Sequence, residues 1–329
     1  PFELVKADDD LNVDVNALIV PTIIDFYPKT VRGGVDTITI VGTGFGFPDS
    51  LSYVEFTNAE NGPSPVEWIR PHHREYALWT DDTIKVKVTS YGKNDPDWTY
   101  PWGNYYAGTG KIRIRTPNGV SNVSDSTLKV NYSIYNDIVN NNGIYYPSDM
   151  VLIDINNNGG YTFTFDTSFT NNVSVPEAQA AFERALKTWR CQTGVNFIIN
   201  DTIPNTPSNN EILITFDNSL PVGTPARTHL WLFLDCSSPH AYMRKFTMKF
   251  SPSISWYTGL DTIPLNFLDL DFETTALHEL GHAHLLNHTN NKWDLMWYGD
   301  RPLSYPYLRN LDINSKNGGL HITDISAVN

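Results

Sequence analysis

The stretch ALHELGHAHLLNH, residues 276–288, limits what this chain can fold into more than any other stretch. On a helix that advances about 100° per residue, His278 and His282 lie about 40° apart and one turn along, so both rings face one side. A straight continuation would carry His288 about 120° off that side and roughly 9 Å further along. The three histidines can meet only if the chain leaves the helix after His282. The apolar residues that would bury this helix are Phe272, Ala276, Leu277 and Leu280.

Glu279 stands beside the first histidine and completes the pattern His-Glu-x-x-His. In that pattern two neutral imidazoles hold a zinc ion, and the carboxylate takes a proton from the water bound to it. A catalytic zinc usually has three protein ligands and one open position. No glutamate follows Glu279, and His284 lies about 200° around the helix from His282, so it points away. The other downstream donors are His288, His321, Asp294, Asp300, Asp312 and Asp324.

The break after the helix needs a residue that accepts a positive φ angle. Leu285 stands three residues after His282, where a glycine would turn at little cost, and a leucine pays roughly 1–2 kcal/mol for that conformation. Asn287 tolerates positive φ better, so the break can fall at either residue. Structural zinc binding contributes roughly 10 kcal/mol or more in small peptides, so the strain at Leu285 does not by itself forbid a metal site.

Composition excludes some classes of partner and suggests a compartment. The net charge of -13 argues against a nucleic-acid or anionic-membrane partner, because phosphate binding needs clustered Lys and Arg. No stretch approaches the roughly 20 apolar residues of a membrane span, and PFELVKADDD lacks the features of a signal peptide. Because the composition is rich in Asn, Thr, Tyr and Trp and poor in Lys and Glu, we expect a secreted protein, with its signal peptide removed from this chain. The two cysteines, Cys191 and Cys236, are expected to form a disulfide, with two buried free thiols as the alternative.

The amino-terminal part has the pattern of a β-sandwich. Residues 1–18 are acidic and weakly patterned, which predicts a linker or extended segment. Residues 19–134 contain short alternating runs separated by turn residues. The runs PTIIDFYPKTVRGGVDTITIVGTGFG, ALWTDDTIKVKV and GKIRIRTPNGVSNVSDSTLKVNYSI resemble the IPT/TIG family of immunoglobulin-like domains. The resemblance implies a spacer or a module that binds a protein or glycan. His72 and His73 are predicted to be surface loop residues, since no third metal ligand lies nearby.

Residues 135–329 show a different pattern, in which strands and helices follow one another. Residues 136–150 are Asn-rich and predict a linker or domain entry. The runs MVLID and YTFTFDT flank INNNGG and predict a hairpin; Asp154, Asn156 and Asn158 also fit half of a calcium loop, which lacks its final glutamate. Calcium is therefore the lesser alternative there. The segment SVPEAQAAFERALKTWRC predicts a helix with one apolar face, formed by Ala178, Ala181, Phe182, Ala185, Leu186 and Trp189.

The run HELGHAHLLNH, followed by TNNKWDLMW, resembles the metzincin superfamily of zinc endopeptidases, most closely the matrixins. Met296 follows His288 at the eight-residue spacing of the matrixin Met-turn, and the resemblance covers roughly residues 145–329. Leu285 departs from the family's glycine. The resemblance implies that Glu279 is general base and acid and that Met296 forms the floor under the metal. It implies three zinc ligands: His278, His282 and His288.

The residues after Met296 are the expected walls of the substrate site. The resemblance to astacin-like metzincins gives Tyr298 a role at the zinc or, failing that, in the pocket wall. The outer wall of the specificity pocket is expected in the segment 297–305, with Trp297, Gly299 and Tyr305 as its lining.

Together these patterns predict a multidomain chain. An all-β immunoglobulin-like sandwich (19–134) precedes an α+β metzincin-type catalytic domain (135–329) with a twisted, mostly parallel sheet, an active-site helix and a Met-turn. The expected function is a secreted zinc endopeptidase that hydrolyses peptide bonds through zinc-bound water, with Glu279 as general base. Two alternatives stay open: an adhesion, glycan-binding or protein-binding protein with an impaired site and Leu285 as its lesion, and a zinc hydrolase of a non-peptide amide.

Overall fold

The computed structural model describes residues 19–60, 67–91, 105–141, 144–153, 160–170, 175–195, 197–200, 212–234, 240–260, 269–299 and 308–328. Strands predominate in these ranges, and the α-helices lie in the carboxy-terminal part. None of the described helices combines the length and the apolar character that crossing a membrane requires.

The strands before residue 134 follow the alternation of the sequence. In the run TITIVGT, for example, Ile38 and Ile40 are fully buried while Thr37 and Thr43 are exposed. A short 3-10 helix, His73–Glu75, interrupts the strands. The strands are β1 (Thr22–Tyr27), β2 (Thr30–Gly33), β3 (Thr37–Thr43), β4 (Tyr53–Asn58), β5 (Trp68–Ile69), β6 (Tyr76–Trp79), β7 (Thr83–Lys87), β8 (Ser90–Tyr91), β9 (Tyr105–Thr116), β10 (Gly119–Val120) and β11 (Lys129–Ser133).

The rest of the chain mixes strands with helices. Its strands are β12 (Asn136–Asn141), β13 (Ile144–Leu152), β14 (Thr162–Phe165), β15 (Ile198–Ile199), β16 (Ile212–Phe216), β17 (Ala226–Leu234), β18 (His240–Phe250), β19 (Ser255–Tyr257) and β20 (Asp269–Asp271). Its helices are α1 (Thr167–Thr170), α2 (Ala178–Thr193), α3 (Phe272–Ala283) and α4 (Ile313–Val328). The apolar face predicted for α2 is buried along its whole length.

The strand pairing contradicts the predicted fold class. A mixed sheet of twelve described strands runs in the order β15-β14-β16-β18-β13-β12-β8-β9-β4-β5, with β10 on β9 and β17 on β18. The pairs from β15 to β13 are parallel, whereas β17–β18, β12–β13 and the pairs among β8, β9, β4 and β5 are antiparallel. The prediction of a separate sandwich followed by a metzincin-type domain with its own mostly parallel sheet is therefore wrong. Strands from both halves of the chain share one sheet.

The physical reason lies in the segment that was predicted to be a linker. β12 and β13 form an antiparallel hairpin, and β12 also pairs with β8 at Asn136 and Tyr91, while β13 pairs in parallel with β18. Asparagine-rich composition is typical of turns, but a strand edge carries unpaired N–H and C=O groups whatever its side chains. Pairing on both sides of this hairpin satisfies those groups and joins the two halves of the chain.

The buried apolar side chains form two clusters. The first is lined by the amino-terminal strands and includes Phe26, Phe56 and Ile112. The second lies between the sheet and helices α2 and α3 and includes Trp189 and Phe250. The predicted domain limits, 1–18, 19–134 and 135–329, stay a prediction. A hairpin between MVLID and YTFTFDT is not formed, because β13 pairs with β12 and β18 while β14 pairs with β15 and β16.

Candidate metal centre

Helix α3 carries the His-Glu-x-x-His pattern and is fixed at both its start and its buried face. Asp271 caps it by accepting a hydrogen bond from the backbone N of Thr274 at 3.0 Å, and Arg309 pairs with the same carboxylate. Such a cap satisfies one of the free N–H groups of the first turn. Against α2, the indole Nε1 of Trp189 donates to the carbonyl of Leu277 at 2.9 Å. These contacts fix the axial position and rotation of the helix that presents the histidines.

The helix ends in a Schellman turn centred on Leu285. The N–H of Leu285 donates to the carbonyl of His282 at 2.9 Å, and that of Leu286 donates to Gly281 at 3.0 Å, which is the pairing of that motif. Leu285 has a φ of 61° and is fully buried. Of the two residues at which the break was expected, the structure therefore uses the leucine, and the chain turns back far enough for His288 to reach the first two histidines.

The three histidines meet at their Nε2 atoms. The Nε2 of His288 lies 3.2 Å from that of His278 and 3.1 Å from that of His282. Each ring is half-buried, and the three rings form a group that could hold a metal ion. For comparison, tetrahedral zinc with Zn–N bonds of about 2.0–2.1 Å separates its nitrogen ligands by roughly 3.3 Å. The two Nε2–Nε2 distances in the cluster are close to this separation.

The opposite nitrogen of each ring fixes the tautomer. Leu295 accepts a 2.8 Å hydrogen bond from Nδ1 of His278, and Leu286 accepts one of the same length from Nδ1 of His282, in both cases through a backbone carbonyl that can only accept. In a neutral ring, Nε2 then carries a lone pair directed at the other rings. Converging lone pairs repel one another unless a cation lies between them, so the residues present fit a bound metal ion. Three imidazoles are a donor set that suits zinc.

Glu279 is buried next to this cluster, with only 5% of its surface exposed. Its Oε2 accepts a hydrogen bond of 2.6 Å from the hydroxyl of Thr228 on β17. Burial raises the pKa of the Glu279 carboxyl to about 7, while the Thr228 hydroxyl and the nearby His288 ring act in the opposite direction. Burial likewise lowers the pKa of His282 to about 3. The carboxyl is therefore near enough to His288 to feel its charge and is held by Thr228 on β17.

Met296 packs directly against the helix that carries His278 and His282. A Cβ atom added at Gly281 would overlap the Sδ of Met296 and lie 3.1 Å from its Cε. The loop around the methionine is fixed by its own backbone, since the N–H of Thr289 donates to the carbonyl of Met296 at 2.8 Å. Gly281 thus leaves the space that the methionine side chain fills, one residue before His282.

The other predicted site residues are placed only in part. The ring of Trp297 lies 5.8 Å from that of Tyr298 and closes over Gly299, while Tyr305 lies outside the described residues. The roles of these residues in substrate binding stay predictions.

The predicted disulfide and calcium loop cannot be compared with the structure in full. Cys191 is exposed on α2, and Cys236 lies outside the described residues, as do Asp154, Asn156 and Asn158. Both therefore stay predictions.

Three further histidines lie apart from the cluster. His284 stacks on Trp189 with ring centroids 4.2 Å apart and donates from Nδ1 to the carbonyl of Leu280. His72, which was predicted at the surface with His73, is fully buried and accepts a hydrogen bond from the N–H of Arg74, because it caps the short 3-10 helix there. That part of the prediction is wrong.

Two residues at the site could not be found by sequence reasoning. Thr228 contacts Glu279 across 51 positions of sequence, and Glu60 accepts a 2.8 Å hydrogen bond from Nδ1 of His288 across 228 positions. Neither belongs to a local pattern, and no spacing in the sequence signals them.

Comparison with known proteins adds little to this geometry. No family model matches the sequence, and no curated protein matches it. Among solved structures, it is similar to a structural genomics protein of unknown function from Bacteroides thetaiotaomicron, with a TM-score of 0.23 and 14% identity. That match covers 34% of this chain and 22% of the other. A similarity of this extent supports neither a fold family nor a function.

Proposed function

We propose that this protein is a zinc-dependent endopeptidase whose metal is held by His278, His282 and His288. The observation that carries the proposal is the convergence of three Nε2 atoms, two of them 3.1 and 3.2 Å from the third, in rings whose Nδ1 atoms are engaged elsewhere. Three protein ligands leave a fourth position of a tetrahedral zinc for water or substrate, as catalytic zinc sites require. The resemblance to the metzincin motif supports the proposal at the level of the site, not of the fold.

The buried carboxylate supplies the proton transfer that peptide hydrolysis needs. A zinc ion, when bound, polarises the scissile carbonyl and makes water more acidic. Glu279 takes the proton from the attacking water and passes it to the leaving amine. Thr228 orients this carboxylate by donating to Oε2, and Oε1 is the oxygen that would receive the proton from water. Because Thr228 is part of β17, the strand fixes the direction in which the base acts.

The same strand offers a surface for an extended substrate. Among the described strands β17 pairs only with β18, so its other edge has no strand partner within the described part of the chain. An exposed edge can accept an extended peptide through main-chain hydrogen bonds, with side-chain pockets giving specificity. The hydroxyl contact from Thr228 brings this edge to Glu279. The proposed substrate is therefore a protein or peptide in extended form that adds to β17.

The proposal is tested by metal content and by cleavage of an unfolded protein. The purified chain is expected to contain stoichiometric zinc, and a chelator is expected to stop cleavage until zinc is returned. Glu279→Gln should keep the zinc and lose roughly 10²–10⁴-fold in cleavage rate, the range of general acid–base catalysis. Glu183→Gln, at an exposed position of α2, is the matched control and should cleave like the wild type.

Two results would contradict the proposal. The first is a purified chain without zinc that also takes up none when the metal is offered. The second is a Glu279→Gln variant that cleaves as fast as the wild type. Zinc binding with no cleavage of any unfolded protein would instead favour a hydrolase of another amide, which a panel of small acylated amines would reveal.

A further inference from the structure

His288, the third histidine of the cluster, is held by a residue from the amino-terminal part of the chain. Glu60, which follows β4, accepts a 2.8 Å hydrogen bond through Oε1 from Nδ1 of His288. The two side chains are 24% and 21% exposed, so the contact is largely shielded from water. The backbone N–H of Glu60 donates to Oδ1 of Asn58 at 3.0 Å, which fixes the turn that presents the carboxylate.

The loop that carries His288 is docked on the same half of the chain at several other points. The side-chain amide of Asn290 donates to the carbonyl of Thr109 at 2.8 Å and accepts from its N–H at 2.9 Å. Asn287 donates through its side chain to the hydroxyl of Ser90 at 2.8 Å. The distance between Glu60 and His288 is therefore set by contacts on both sides of the histidine.

The turn itself is also held by residues 133–135, at the junction of β11 and β12. The carbonyl of Leu285 accepts from the N–H of Tyr135 at 2.7 Å, and the N–H of Asn287 donates to the carbonyl of Ser133 at 2.9 Å. Ile134 and Leu286 form an antiparallel bridge between them. The segment 133–135 thus holds the backbone of the turn in the conformation that directs His288 to the cluster.

We propose that Glu60 is a positioning residue of the metal centre and that the amino-terminal strands form part of that centre. This inference rests on the proposed zinc site. A ligand histidine that donates its second N–H to a carboxylate is fixed in tautomer and orientation and becomes a stronger donor, and loss of such a partner typically lowers metal affinity about 10–100-fold. The Nδ1 atoms of His278 and His282 donate to backbone carbonyls, whereas Nδ1 of His288 donates to a carboxylate.

The test measures zinc affinity by competition with a chromophoric chelator in the full chain. Glu60→Ala should weaken zinc binding about 10–100-fold. Glu60→Gln should weaken zinc binding less than Glu60→Ala, because the amide oxygen of glutamine still accepts a hydrogen bond from Nδ1 of His288. Some loss of affinity remains because the amide carries no charge. Glu183→Gln makes the same change at an exposed carboxylate on α2 and should stay within about twofold of the wild type.

A double substitution separates positioning from a general effect on the fold. If Glu60 acts through His288, then adding Glu60→Gln to His288→Ala should change zinc affinity no further than His288→Ala does alone. The Co²⁺-substituted protein gives a second readout. Its visible absorption should change in Glu60→Ala and largely recover in Glu60→Gln.

The outcomes distinguish this proposal from the function on which it rests. Zinc affinity in Glu60→Ala and Glu60→Gln within about twofold of the wild type would overturn the role of Glu60 and leave the zinc site standing. The role of Glu60 would also be overturned if Glu60→Gln lowered zinc affinity by the same factor in the wild type and in His288→Ala. If the wild type binds no zinc, both proposals fail. If Glu60→Ala does not fold, the Glu60→Gln pair decides the matter.

Discussion

Replacing Leu285 tests how the turn after α3 is stabilised. The residue has a φ of 61°, which favours glycine, yet its side chain is fully buried in the carboxy-terminal core. Leu285→Ala removes most of the side chain and keeps the Cβ that makes the conformation strained. Leu285→Gly removes both. The two variants therefore separate the energy of packing from the energy of backbone strain.

The magnitudes follow from the two effects. Loss of a fully buried leucine side chain to alanine typically costs about 2–5 kcal/mol. Glycine removes the roughly 1–2 kcal/mol strain of the left-handed conformation. Its greater conformational freedom in the unfolded chain offsets part of this gain in stability. We expect Leu285→Ala to lose about 3 kcal/mol and Leu285→Gly to be about 0.5–1 kcal/mol more stable than Leu285→Ala. Both should be less stable than the wild type.

Urea unfolding followed by fluorescence measures these differences. Ala283→Gly is the control on the same helix, where a buried alanine has ordinary helical conformation and glycine should cost about 1 kcal/mol. The order of alanine and glycine should thus be opposite at positions 283 and 285. If glycine is the less stable choice at both positions, strain at Leu285 is absent and the account of the turn is wrong.

Three further predictions concern the surroundings of the site. Gly281→Ala should destabilise the fold by about 1–3 kcal/mol by overpacking against Met296, and an unchanged urea midpoint would contradict that packing. Burial, with Asp312 nearby, raises the pKa of Asp294 to about 6, so between about pH 4 and pH 6 the folded state binds more protons than the unfolded chain and stability falls as pH rises. Asp294→Asn should remove about 2 kcal/mol of the fall between pH 4.5 and pH 7.5, which unfolding measured at those two pH values would detect. Zinc at about 1,000 times its Kd should raise the free energy of unfolding by about 4 kcal/mol, and no change in melting temperature on chelation would count against the site.

The fold was predictable where its signal is local. The alternation of β3 and the apolar face of α2 indicate which side of each element is buried, because side-chain direction repeats every two or 3.6 residues. Which strands pair with one another is not indicated by any comparable pattern in the sequence. The Asn-rich hairpin of β12 and β13 joins β8 to β18 through backbone groups, which every residue carries, so composition could not reveal the shared sheet.

The candidate site divides in the same way. His278, Glu279 and His282 lie within one turn of helix, and their spacing alone predicts a common face. The sequence also restricted the left-handed residue to two positions, of which Leu285 is the one used. The partner of His288 depends on how the two halves of the chain dock, and that information is spread over many weak contacts rather than held in a motif.

Leu285 is better explained as part of the support of the site than as its lesion. Burying a leucine side chain contributes about 1.5–3 kcal/mol, which offsets the roughly 1–2 kcal/mol penalty of its conformation. A glycine there would turn as easily but would leave the turn without an anchor in the core. With the leucine, the residues that lead to His288 are held by the core on one side and by segment 133–135 and Glu60 on the other. The leucine at this position therefore gives no reason to expect that His288 is disordered. Zinc affinity in Leu285→Gly should be equal to or weaker than in the wild type, and a weaker affinity would show that the buried leucine side chain supports the proposed metal site.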